Sequence, residues 1–108
     1  MPPVILLPDK EPYMIIGILE LVLRLPDSHS LKAKRQVIKS IKDKVRNRFN
    51  VSMAEVGDQD LWQTARLGVC TLGNDRAHLN ARLDQVLNFI EGLHPASDLE
   101  FQLDFLDY

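Results

Sequence analysis

The apolar residues of this 108-residue chain recur at two different periods, and the order in which those periods alternate constrains the fold more than any single motif. From Tyr13 to Leu25 the pattern has period two. Ile15, Gly17, Leu19, Leu21 and Leu23 fall on one side, with Met14, Ile16, Ile18, Glu20, Val22 and Arg24 on the other. Such alternation in a run rich in β-branched residues and Leu marks a strand. From Ser30 to Phe49 the period lengthens. Leu31, Ile38, Ile41, Val45 and Phe49 share one side of a helix, and Val37 widens that stripe. Val51 to Val56 then reads as a short strand, Gly57-Asp58-Gln59-Asp60 as a turn, and Trp62 to Leu72 as a third strand with Ala65, Leu67 and Val69 on one face. Gly73-Asn74-Asp75 caps a second helix that turns Leu79, Leu83, Val86, Leu87, Ile90 and Leu93 inward and ends at His94-Pro95. In a last strand, Leu99, Phe101, Leu103 and Phe105 alternate with Glu100, Gln102 and Asp104.

The order βαββαβ is satisfied with short, right-handed connections by an α+β sandwich of the ferredoxin-like type. Both helices then lie on one face of a four-stranded antiparallel sheet with strand order 4-1-3-2. Residues 13–108 form this single domain. Residues 1–12 carry four prolines and read as an N-terminal arm outside any regular element. The open face of the sheet is expected to present Ile16, Ile18, Glu20, Val22, Thr64, Arg66, Gly68, Cys70, Glu100 and Asp104.

Charge is distributed far less evenly than the net value of −2 suggests. Eight of the thirteen Lys and Arg residues lie between Ser30 and Phe49, beside a single acid, Asp43, so that this segment carries +7 and the remainder −9. At 100° per residue Lys32, Arg35, Lys39, Lys42 and Arg46 fall within a sector of about 80° on one flank of the apolar stripe. Like charges at three- and four-residue spacing weaken a helix by roughly 0.2–0.5 kcal/mol per pair, and Lys32 and Arg35 also oppose the positive end of the helix dipole. A solvated surface helix would ordinarily intersperse Glu. Cations spaced along a helix can instead follow a phosphate backbone, although charge runs of this kind are also often plain solvated faces. Ser30 is placed as the helix N-cap. With Lys34 and Arg35 beside the free N–H groups of the first turn, it outlines a seat for an anion.

Other chemistry is sparse. Cys70 is the only cysteine, which excludes an intramolecular disulfide and a cysteine-cluster metal site and fits a reducing, cytoplasmic setting. The longest apolar run near the start, Val4 to Leu7, is too short for a signal peptide or a membrane span, so no membrane association is expected. Asp58 and Asp60 are read as turn residues rather than cation ligands. His29, His78 and His94 share no ligand spacing. No Ser/His/Asp order or glycine-rich phosphate loop is visible, and Leu25-Pro26-Asp27 stands where a phosphate-binding, arginine-bearing loop would follow the first strand in an acylphosphatase-like enzyme. The chain is therefore read as a non-enzyme with no cofactor and no bound metal, and no small-molecule substrate is identified from its motifs. Trp62 is expected to pack beside the hairpin, or else to anchor an interface. Glu20 and Arg66 are placed to form a cross-strand ion pair.

Several stretches together resemble one bacterial family. Met14-Ile-Ile-Gly, Ser30-Leu-Lys-Ala-Lys-Arg, Arg48-Phe-Asn-Val-Ser, Ala54-Glu-Val-Gly-Asp-Gln-Asp-Leu-Trp-Gln63 and Gly73-Asn-Asp-Arg76 look like the YlxP-like family, over Met14 to about Phe105. The resemblance implies a ferredoxin-like fold and a gene often located among translation-initiation and ribosome-maturation genes, next to ribosome-binding factor A. It implies no known activity and no catalytic residues. It also suggests Met14 as the native start, because the preceding arm lies outside the family pattern.

Three functional expectations follow. In the first, an accessory protein meets structured RNA or a ribosomal particle through Lys32, Lys34, Arg35, Lys39, Lys42 and Arg46. In the second, a protein-interaction module or homodimer is built on Met14, Ile16, Ile18, Val22 and Trp62, an apolar set that a monomer would expose. A small-ligand sensor, a use found for this topology elsewhere, has no binding motif to support it.

Overall fold

The computed structural model of the protein describes residues 14–95 and 98–108, so the arm expected over residues 1–12 lies outside the described residues. Six elements follow in the order β1 (Ile15–Arg24), α1 (Leu31–Arg48), β2 (Ser52–Gly57), β3 (Thr64–Gly73), α2 (Arg76–Leu93) and β4 (Leu99–Asp107). The four strands form one antiparallel sheet in the order β2-β3-β1-β4, which is the expected 4-1-3-2 read from the other edge.

Alternation explains which face of each strand is buried. Leu19, Leu21 and Leu23 of β1 and Ala65, Leu67 and Val69 of β3 turn toward the helices and are sealed from water. Ile38, Ile41 and Val45 of α1 pack onto them, as do Leu79, Leu83, Val86 and Ile90 of α2. Each buried Leu or Ile contributes roughly 1.5–3 kcal/mol relative to exposure. At Gly17 the second helix packs closely on β1. A Cβ there would stand 3.0 Å from Leu83 Cδ1, so the absence of a side chain leaves room for Leu83 of α2 to pack against β1. α2 lies over β1 and β3 and α1 lies toward β2, leaving Leu99, Leu103 and Phe105 of β4 half-buried and Phe101 exposed. The Arg76 guanidinium lies 4.7 Å from the Phe105 ring centroid and shields part of that edge.

Both helix starts are capped by the residues expected. Ser30 Oγ accepts from the Ala33 N–H at 3.0 Å, and Asp75 Oδ1 accepts from Ala77 and His78 at 3.0 and 3.3 Å.

Lys34 occupies a position that the charge pattern does not suggest. It sits in the middle of the buried stripe of α1, in line with Ile38, Ile41 and Val45, and is 1% exposed. Its Nζ donates to the Asp58 carbonyl at the β2–β3 turn and lies 3.0 Å from Glu55 Oε2 on β2. That carboxylate oxygen is buried, and Lys34 is the counter-charge that faces it. Asp58 reaches the lysine from a left-handed backbone conformation, φ 58°, which Asp tolerates in turns better than most residues.

Removing one member of a buried ion pair leaves the other uncompensated, at a cost typically near 3–5 kcal/mol. Lys34→Met should therefore lower the unfolding free energy by about 3 kcal/mol in urea titrations. The double variant Lys34→Met, Glu55→Met should recover most of that loss, because it removes both charges and keeps similar volume.

Candidate nucleic-acid interface

The burial of Lys34 sets the rotation of α1 and so decides where its remaining cations point. On one flank of the buried stripe, Arg48 stacks 5.0 Å from the Phe89 ring centroid of α2, and Phe49 meets the same ring edge-on at 5.7 Å. The opposite flank carries Lys32, Arg35, Lys39, Lys42 and Arg46 and faces the β2 edge, where the Arg46 guanidinium donates to the Met53 carbonyl at 2.6 Å. From Lys32 to Arg46 this stripe runs about 21 Å at 1.5 Å per residue. It begins beside the β2–β3 turn and follows β2 toward its start.

The five cations are held to different degrees. Lys32, Arg35 and Arg46 are exposed and Lys42 is half-buried. Lys32, Arg35 and Lys42 make no hydrogen bond or ion pair with the described residues. Lys39 pairs with Asp43 one turn on, at 2.9 Å. That hydrogen bond, with the positive field of Lys39, Arg46 and Lys42, holds the exposed Asp43 carboxyl below its ordinary range. Asp43 thus stays ionised well into acid and remains the one internal counter-charge of the helix.

Lys34 does not belong to this surface. It was expected among the phosphate and anion ligands, yet its ammonium is enclosed between Glu55 and Asp58. The signal was present in the sequence, since Lys34, Ile38, Ile41 and Val45 fall at offsets of four, seven and eleven along one helix line. Ser30 acts as the N-cap, and Arg35 is the exposed cation nearest the start of that seat apart from Lys32.

Trp62 lies in the turn rather than in β3, and instead of packing beside the hairpin it is 54% exposed, with its neighbour Leu61 at 51%. The backbone beneath them is tied down. Leu61 N–H donates to the Asp58 carbonyl at 3.1 Å, and Leu25 N–H to the Gln63 carbonyl at 2.8 Å. The Gln63 amide donates to the carbonyls of Pro26 and Ser28, both at 3.2 Å. These bonds join the β2–β3 turn to the β1–α1 turn.

The open sheet face divides into two halves. Toward the start of β1, register places Leu72, Ile16 and Leu106 side by side across three strands, followed by Cys70, Ile18 and Asp104. Leu72 and Leu106, absent from the expected set, are 62% and 50% exposed, Met14 is 38% exposed, and Ile16, Ile18 and Val22 are half-buried. The other half is ionic. Arg66 pairs with Glu20, and Arg24 with Glu100, each at 3.0 Å. β1 and β3 present no aromatic side chain there, and the carboxylates would repel phosphate, so base stacking on this face is disfavoured.

Elsewhere, the Asp58 carboxylate turns toward Arg66 at 3.9 Å. Among the described residues no group of three or more His, Cys, Asp and Glu is placed to hold a metal ion, and neither helix is long and apolar enough to cross a membrane. A cleft of about 310 Å³ opens between the β1–α1 turn and the end of α2, walled by Leu25, Pro26, Val37 and Leu93 together with Asp27 and His94.

Both the sequence and the fold have counterparts among known proteins. The chain is similar to the uncharacterized protein YlxP of Bacillus subtilis (strain 168), with 40% identity over 77 residues that cover 71% of this chain and 84% of that one. The de novo designed protein Foldit4 shares the fold, with a TM-score of 0.51 at 15% identity over 84% of this chain and 96% of its own. A dimeric ferredoxin-like protein from an uncultured marine organism aligns with a TM-score of 0.44 at 11% identity, over 85% of this chain and 95% of its own. Residues 16–102 match the family described as protein of unknown function (DUF503), and the chain belongs to that family.

Proposed function

We propose that this protein is a non-enzymatic accessory factor that binds structured RNA, free or within a ribosomal particle in the cytoplasm, through the basic flank of α1. The observation that carries the reading is the one-sided stripe of Lys32, Arg35, Lys39, Lys42 and Arg46, opposed within its helix by Asp43 alone. The fold does not need that many cations there. The buried ion pair on this helix uses Lys34, and one guanidinium nitrogen of Arg46 satisfies an edge carbonyl. The remaining like charges repel one another unless an anion lies across them. The translation and ribosome-maturation setting implied by the family resemblance is consistent with an RNA partner.

Phosphate contacts release counterions, so log K for a structured RNA should fall linearly with log salt, with a slope of about −2 to −4 for three to five neutralised phosphates. Lys39→Gln with Lys42→Gln should flatten the slope by about one to two units without unfolding the protein. Unchanged affinity and slope, measured by filter binding and by cosedimentation with ribosomal subunits, would leave the stripe a solvated surface.

Asp43 gives a test of opposite sign. Asp43→Asn frees Lys39 and removes the only acid on the helix. RNA binding should tighten by up to about fivefold and its salt slope should steepen, the size expected for releasing an exposed ion pair. Because the carboxyl is held below its usual range, the wild-type protein should approach the variant's affinity only in strong acid.

The row Leu72, Ile16 and Leu106 supports a second reading, self-association through the open sheet face. Leu72→Lys, at an exposed position that the core does not use, should then shift sedimentation equilibrium toward monomer. A wild type already monomeric at tens of micromolar, where weak dimers still populate, removes this reading.

A further inference from the structure

Trp62 is an exposed indole on a backbone that the fold takes care to immobilise. The turn that carries it is fixed at one end by the buried Lys34 ammonium on the Asp58 carbonyl, and at the other by the Gln63 amide across the carbonyls of Pro26 and Ser28. Ser28 stands two residues before the N-cap Ser30, so the same bonds place Trp62 at the corner where the basic stripe begins with Lys32 and Arg35. Of the two acids in the turn, Asp58 is directed to Arg66 at 3.9 Å, and only Asp60 is exposed.

We infer that Trp62 is a stacking platform for an unpaired base, and that the RNA bound by this protein joins a paired stem, lying along α1, to a single-stranded loop or bulge that reaches Trp62. This inference rests on the proposed RNA binding and specifies its substrate class. The physical grounds are threefold. An aromatic ring with both an exposed surface and a fixed backbone stacks at little entropic cost. Every base offers a π face, so stacking suits a protein whose cations read phosphates without sequence. Bases in a paired stem are already stacked and unavailable, which makes splayed-out loop bases the ligands for such a ring. A protein partner would meet a corner of mixed charge, Lys32 and Arg35 beside the exposed Asp27 and Asp60, with Leu61 as the only large apolar neighbour exposed in the turn.

Trp62 is the only tryptophan, so its fluorescence reports on this contact directly. Two RNAs serve as probes, a long fully paired duplex and a hairpin of the same stem sequence carrying an unpaired purine loop. The hairpin should quench Trp62 emission on binding and the duplex should not. Trp62→Ala should weaken hairpin binding about tenfold, within the range for loss of one stacked base, and leave duplex binding unchanged. Trp62→Phe should restore part of the difference. If Trp62→Ala binds both RNAs as the wild type does, while Lys39→Gln with Lys42→Gln still weakens both, the stacking platform is overturned and phosphate binding by α1 stands. If the wild type binds neither RNA, the proposed function fails and this inference fails with it. A blue shift of Trp62 emission that depends on protein concentration, without RNA, would assign the indole to a protein contact and overturn the inference as well.

Discussion

The contact of Lys34 with Glu55 and Asp58 organises this molecule beyond its energetic contribution. A helix on a sheet can roll about its axis with little change in buried apolar area, particularly when its stripe is built from Ile and Val of similar size. A buried ammonium cannot roll. It must keep the Asp58 carbonyl and the Glu55 carboxylate within reach, and the cost of stranding a charge in the interior penalises other rotations by several kcal/mol. With that angle set, the flank of five cations faces the β2 edge and Arg48 faces α2. The same bond holds the β2–β3 turn against the start of α1, which brings Trp62 to the end of the basic stripe.

The fold was legible because hydrophobic period and turn chemistry agree along the whole domain. Both N-caps, the inward sets of β1, β3 and α2, and the Glu20–Arg66 pair lie where alternation and spacing place them. What composition conceals is the fate of single residues whose chemistry contradicts their position. Lys34 belongs by charge to the surface and by helical phase to the core. Phase prevails because an acceptor carbonyl and a carboxylate counter-charge come from a turn and a strand some twenty residues away, and no local pattern announces them. Trp62 is the reverse case. Its size argues for burial, but the register shift in β2 between Glu55 and Gly57 and the bonds of Gln63 leave the preceding residues outside the ladder.

The candidate surfaces were legible to different extents for related reasons. The stripe on α1 follows from wheel positions alone, because a helix of eighteen residues fixes its own phase. The apolar row on the open sheet face depends on strand register. Leu72 and Leu106 join Ile16 only once β1 is aligned with both neighbours, and register is a property of pairing rather than of any one strand. The two surfaces lie on different faces of the molecule. The proposed RNA contact on one would therefore leave the other open to the proposed self-association, and a dimer through the sheet would present two basic flanks.

The central claim is that the basic flank of α1 is where RNA meets this protein. Amide chemical-shift mapping with a structured RNA at low salt tests it most directly, since it locates the contact without altering a residue. The account predicts shifts concentrated on Lys32, Arg35, Lys39, Lys42 and Arg46 and extending to the turn at Trp62, with Ile16, Leu72 and Leu106 unmoved. Saturable binding whose shifts fall on the open sheet face, or no shift on α1 at low salt, would contradict it.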